Sequence, residues 1–232
     1  MTQRKQRILR RINFAKFSLL LATILALFLY PYIPSRTLVI YPDANNIFWG
    51  AYSDIYMGGD TSVDYNNDLQ SAIRCKMGGA GSFNMCGNTA VFEDNSIYTH
   101  QTLTADYQFA VSVSDLISRD FSQYSGIWLE LDYQGPAKYI HVLLKNHEPS
   151  LEMTAPERQF RPQSVGVETS ELFQPVYLRL QDFKVSDWWV NQFALHRTES
   201  GTRFDRIQAI GVEVKEQPVG SEHYIEVNSI IL

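Results

Sequence analysis

The stretch Ile127-Trp128-Leu129-Glu130-Leu131-Asp132-Tyr133 alternates apolar and polar positions over seven residues and stops at Gln134-Gly135-Pro136. A period of two is the signature of a strand with one buried face, and the Gln-Gly-Pro stop reads as a turn. Beyond it, Tyr139 to Leu144 sets Ile140, Val142 and Leu144 against Tyr139, His141 and Leu143. Together the two runs read as a hairpin, with Ile127, Leu129 and Leu131 on its core face and Trp128, Glu130 and Asp132 on the other.

The same alternation recurs on both sides. Val176 to Leu180, Arg206 to Val214 and His223 to Leu232 repeat it, and earlier candidates are Ile47–Tyr52, Leu69–Cys75, Thr89–Glu93 and Tyr107–Val113. Two helical turns are expected, at Ser114–Asp120 and Asp187–Leu195. About ten short strands with little helical periodicity predict an all-β, jelly-roll β-sandwich, in one domain spanning residues 40–232.

The chain has 232 residues, of which 45% are hydrophobic and 19% charged, enough for one good core and too apolar for a disordered chain. Charge is distributed unevenly. Arg4, Lys5, Arg7, Arg10, Arg11 and Lys16 crowd the start, with no carboxylate before Asp43, leaving 14 cations against 25 carboxylates elsewhere. So acidic a body excludes nucleic acid as a partner, since that affinity comes from clustered Lys and Arg.

Residues 17–35 carry no charge and nearly span a bilayer as a helix. They end in Tyr30-Pro31-Tyr32-Ile33-Pro34, an aromatic boundary without a small-x-small cleavage site. The expectation is an uncleaved transmembrane signal anchor, with residues 1–16 cytoplasmic and the sandwich periplasmic, on a single-pass bacterial inner-membrane protein. In that oxidising compartment Cys75 and Cys86, flanking the glycine-rich KMGGAGSFNM, are expected to form a disulfide. Zinc is the rival, but the five histidines are scattered and complete no ligand set.

Motifs for chemistry are weak. Gly58-Gly59-Asp60 begins like GGDEF, but Thr61-Ser62 follow; Gly78-Gly79-Ala80-Gly81 lacks a following GK[ST]; no GxSxG occurs. Glu130 and Asp132 lie about 7 Å apart on one strand face, within glycosidase range, though alternating acids are more often a solvated face. Trp128, Glu130, Asp132, Tyr139, His141, Tyr177 and Arg179 fall on non-core positions. On one sheet they would form an aromatic and charged surface suited to a sugar or another small polar ligand, or else an ordinary exposed face. Trp188-Trp189 supplies one core ring and one lip contact, with Trp189 placed in the ligand set. No cofactor is expected, although the acidic loops leave room for a structural calcium.

The order Trp49-Gly50-Ala51-Tyr52-Ser53-Asp54, Gly58-Gly59-Asp60-Thr61-Ser62, a strand into a Cys, the Trp128–Gly135 strand, Leu180-Gln181-Asp182-Phe183 with Trp188-Trp189, and Ile225-Glu226-Val227-Asn228-Ser229-Ile230 resembles the galactose-binding-like β-sandwich over residues 45–232. Nearer resemblances are to carbohydrate-binding-module-like domains and complex I intermediate-associated proteins. With an anchor in front, the arrangement also resembles the periplasmic sensor regions of bacterial diguanylate cyclases and histidine kinases, where an output domain would follow. The resemblance implies a non-catalytic input domain; a stand-alone carbohydrate-binding or cell-envelope assembly module is the alternative, and a hydrolase comes third. Expected partners are the membrane, a small polar ligand or carbohydrate or an envelope protein, and a second copy in a homodimer.

Topology is directly measurable. A reporter fused after Leu232 should work only if it functions in the periplasm, and the mature protein should retain Met1 through Arg36. A mature N-terminus at or after Tyr30 would overturn the anchor.

Overall fold

The computed structural model describes residues 37–41, 47–65, 71–81, 83–92, 118–148, 160–193 and 201–232. Two antiparallel sheets carry nearly all of them. The first runs β3 (Ser62–Tyr65), β4 (Ala72–Lys76), β12 (Glu222–Ile231), β6 (Gly126–Gln134), β9 (Val176–Arg179), with β1 (Val39–Tyr41) also paired to β12. The second runs β10 (Lys184–Val185), β8 (Phe160–Glu168), β7 (Tyr139–His147), β11 (Ile207–Lys215), β5 (Met85–Phe92), β2 (Ile47–Ser53). A helix, α1 (Asp187–Phe193), follows β10.

Alternation decides which side chains enter the space between the sheets. Ile127, Leu129 and Leu131 of β6 and Ile225, Val227 and Ile230 of β12 meet Ile140, Val142 and Leu144 of β7 and Ile210, Val212 and Val214 of β11, all buried in one cluster. Each such side chain contributes about 1.5–3 kcal/mol on leaving water. A register shift between Val227 and Ser229 on β12 inserts an extra residue, and this returns Ile230 to the core after the two polar positions Asn228 and Ser229.

The expected hairpin is corrected. β6 pairs with β12 and β9, whereas β7 pairs with β8 and β11, so residues 135–138 carry the chain from one sheet to the other. Both strands are apolar on one face only. Set in different layers, the two strands bury those faces against each other across the core. Gly135 makes the crossing feasible, because a Cβ there would lie 2.5 Å from the Tyr133 hydroxyl and 2.7 Å from His223 Nδ1.

Two ties hold the sheets together at one end. Cys75 on β4 and Cys86 on β5 form the expected disulfide, Cα to Cα 6.5 Å, so a covalent link crosses between the layers. Beside it the fully buried Asp54 carboxylate accepts from the Thr61 backbone N–H at 3.0 Å, the Thr61 hydroxyl at 2.7 Å and the Met85 N–H at 3.3 Å. It thereby clamps the end of β2 and the start of β5 in one sheet to the start of β3 in the other. Elsewhere Leu38 and Leu232 exchange two backbone hydrogen bonds, of 3.0 and 2.8 Å, extending the β1–β12 pair.

Several boundaries agree with the sequence reading, notably β2, β9, β12 and α1. β1, β3, β8 and β10 were not anticipated. Tyr107–Val113 and residues 1–36 lie outside the described residues, and with them the anchor; among the described residues no helix is long and apolar enough to cross a membrane. Most of Ser114–Asp120 lies outside as well, but Arg119 makes a β-bridge to Ile207 where a helical turn was expected.

Because the disulfide closes a short loop, replacing both Cys75 and Cys86 by Ser should cost about 2–3 kcal/mol of unfolding free energy. In the native protein both sulfurs should resist alkylation without reduction, as mass spectrometry would show. Reactive thiols would overturn the pairing.

Candidate functional site

Five of the eight residues singled out from the sequence share the outer face of the first sheet. Register sets Trp128 on β6 directly opposite Tyr177 on β9, with ring centroids 5.0 Å apart and planes at 43°. Both rings stay in water, at 49% and 39% exposure. Tyr177 is fixed in place: its hydroxyl bonds Ser125 Oγ at 2.6 Å, and its ring lies where a Cβ on Gly126 would stand, 2.7 Å away. A side chain at residue 126 would lift the ring and break the platform.

Glu130 and Asp132 continue along the same face and are exposed. Arg179 points outward too, but it does not answer them. Its Nε and Nη2 donate to the two carboxylate oxygens of Asp182 at 2.7 and 3.1 Å, a bidentate pair that the 3-10 turn at Leu180–Asp182 brings within reach. The acids of β6 are therefore left to other partners. Asp132 stands opposite Glu226 of β12, a like-charge juxtaposition that costs energy on a sheet. Neighbours offset it: Asn228 Nδ2 donates to Asp132 at 3.3 Å, and the Tyr224 hydroxyl donates to Glu226. Bonding to that carboxylate, together with burial, pushes Tyr224 up to about 12.

Toward β4 and β3 the face dips. A depression of 470 Å³ is lined by residues including Asp64, Arg74, Lys76, Gln134, Glu222 and Tyr224, with the Arg74 guanidinium 4.8 Å from the centre of the Tyr224 ring. His223 lies beneath it in a closed relay. The Ser221 hydroxyl donates to Pro218 O at 2.6 Å, so His223 Nε2 must donate to Ser221 at 2.9 Å. Nδ1 is then the acceptor for the Tyr133 hydroxyl at 2.8 Å, which itself accepts from the Ala137 N–H. Burial lowers the His223 pKa.

The other three residues are elsewhere. Tyr139 and His141 belong to β7 and face outward from the second sheet, on the opposite side of the sandwich from Trp128. The Tyr139 hydroxyl donates to Glu168 at 2.8 Å. His141 stands opposite Glu213, and burial, then Lys215, brings it down to about 4. Trp189 is corrected most plainly: it is 2% exposed, its ring lies 4.7 Å under the Arg161 guanidinium, and Trp188 at 53% is the solvent-facing partner. Arg161 Nε is in turn 2.8 Å from Glu148 Oε1 in a buried ion pair.

On the second sheet the sequence reading missed a polar group. Buried Glu213 accepts from the Tyr52 hydroxyl at 2.9 Å and from Lys215 Nζ at 3.3 Å, while Lys145 Nζ sits 5.4 Å from the Tyr52 ring centre. The alternation Val212-Glu213-Val214-Lys215 carried the signal for it. Among the described residues no three His, Cys, Asp or Glu side chains gather where a metal ion could be held.

No protein-family model matches the sequence, and no curated protein does. Among solved structures the chain is similar to the family 11 carbohydrate-binding module of the cellulosomal cellulase Lic26A-Cel5E of Clostridium thermocellum, at 11% identity over 85% of this chain and 93% of that one, with a TM-score of 0.46. It is also similar to the family 11 module from Clostridium thermocellum in complex with a β-1,3-1,4-mixed-linked tetrasaccharide, at 12% identity over 84% and 95%, TM-score 0.49.

The two histidines make stability depend on pH. Their folded-state pKa values lie below the unfolded value of about 6.5, so the unfolded chain binds more protons in between. Urea unfolding should therefore show full stability above about pH 6.5 and a decline as pH falls toward 4. His141→Gln should flatten that decline; an unchanged slope in both His141→Gln and His223→Gln would refute the assignment.

Proposed function

We propose that this chain is a non-catalytic carbohydrate-binding module whose ligand stacks on the Trp128–Tyr177 platform. The observation that carries the reading is the pair itself: two large aromatic rings held half in water on the outer face of a sheet, one of them locked by Ser125 and Gly126. Leaving such rings exposed forfeits burial energy, and a sugar ring recovers it through its apolar C–H face. Beside the rings, Glu130 and Asp132 are acceptors without a paired cation from Arg179, suited to sugar hydroxyls that donate. Function then consists of adhesion: rings supply area, carboxylates supply orientation, and no bond is made or broken. The apolar segment at residues 17–35 would tether the domain to the inner membrane on its periplasmic side, as an input module or as a stand-alone envelope module.

Affinity electrophoresis of the purified protein through gels containing β-1,3-1,4-glucan, xylan, galactomannan or soluble chitin derivatives tests the reading. At least one should retard it. Trp128→Ala should then weaken binding by at least about 2 kcal/mol, roughly thirtyfold in Kd, with stability nearly unchanged. Tyr139→Ala, on the opposite sheet, should have no effect. Retardation by none of the glycans, or unaltered retardation of Trp128→Ala, would sink the platform.

A further inference from the structure

We infer that the depression lined by Asp64, Arg74, Lys76, Gln134 and Tyr224 is a second subsite on the same face, so that the ligand is an extended, neutral polysaccharide chain and not a mono- or disaccharide; this rests on the reading of the platform above. Both places lie on one strand. Trp128 belongs to the platform and Gln134 to the depression, six positions apart on β6 and therefore about 20 Å from each other. A single sugar reaches one of them; only a chain of several reaches both.

The two ends offer different chemistry. At the platform the contact is stacking. At the depression the groups are polar and of both kinds, the donors Arg74, Lys76 and the Gln134 amide beside the carboxylates of Asp64 and Glu222, around a Tyr224 ring held between Arg74 at 4.8 Å and the Glu226 carboxylate. Lys76 is only loosely engaged, 3.7 Å from Glu222 with both side chains exposed. Between the ends the chain would pass Asp132 and Glu226, the cross-strand pair of acids that hydroxyl donors would relieve.

Charge names the class. The face carries Asp64, Glu130, Asp132, Glu222 and Glu226 against Arg74 and Lys76, since Arg179 is neutralised by Asp182. A uronic acid polymer or sulfated glycan laid along β6 and β12 would meet repulsion over most of its length. A neutral chain meets acceptors in the middle and both donors and acceptors at one end.

Isothermal titration of the full chain with neutral mixed-linked β-glucan, cello- and xylo-oligosaccharides, from disaccharide to hexasaccharide, distinguishes the subsites. For at least one series the hexasaccharide should bind roughly tenfold or more tighter than the disaccharide, as linked contacts do. Arg74→Ala should remove that gain and leave disaccharide binding alone, with Asp64→Ala as a second variant on the same exposed wall; Trp128→Ala should weaken both lengths. Polygalacturonate should not bind. If the hexasaccharide gains nothing, if Arg74→Ala and Asp64→Ala both keep the gain, or if polygalacturonate binds as tightly, the second subsite is overturned while a Trp128-dependent disaccharide signal still supports the platform. Loss of every glycan signal in the unmodified protein overturns both.

Discussion

The inward faces of β6 and β7 press against each other across the core, and the rest of the molecule is arranged around that contact. Ile127, Leu129 and Leu131 on one strand and Ile140, Val142 and Leu144 on the other are completely or almost completely buried. Two strands that give their apolar faces to each other cannot also be hydrogen-bonded neighbours. Each must find its partners in its own layer, β6 from the C-terminal β12 and β7 from β11. The outward residues of the two strands are then separated by the full thickness of the sandwich, layers about 10 Å apart plus the side chains on either side. This divides the polar surface in two: a half-exposed aromatic and acidic face over the first sheet, and a more deeply buried Tyr52–Glu213–Lys215 group over the second.

How much of this was legible follows from what a period of two encodes. It states which side chains go inside, and Ile140, Val142, Leu144, Val176, Leu178 and Leu180 are all buried where the alternation puts them. It is silent on which strand lies beside which. Gln134-Gly135-Pro136 has the composition of a hairpin turn, yet the same residues serve a crossing between layers, and nothing local separates the two uses. What separates them is non-local, the contact of Gly135 with Tyr133 and His223. β8 was invisible for a related reason: Pro162 and Gly166 interrupt its pattern, and its buried positions include Arg161 and Gln163, charged and polar residues whose partners come from Glu148, Gly201 and Arg203.

The platform was half legible. Trp128 and Tyr177 fall on non-core positions by alternation alone, and their register across β6 and β9 makes them meet. Arg179 was placed on the right face, but its partner was not legible: a helical turn immediately after the strand brings Asp182 to 2.7 Å from its Nε. For Trp189 the sequence offered two adjacent tryptophans and no means to choose. The choice is made by Arg161, distant in sequence from both tryptophans and adjacent only in the folded chain: its guanidinium, already committed to Glu148, covers the Trp189 indole and leaves Trp188 outside.

The exchange of hydrogen bonds between Leu38 and Leu232 has a mechanical side. Both ends of the sandwich leave from one corner, where β1 runs antiparallel to β12. Tension applied through those two ends would load the β1–β12 rungs one after another, like a zipper, and would not shear a whole sheet at once. Val39, Ile231, Trp128 and Tyr177 stand in one transverse row across β1, β12, β6 and β9, so the aromatic pair lies level with that same corner.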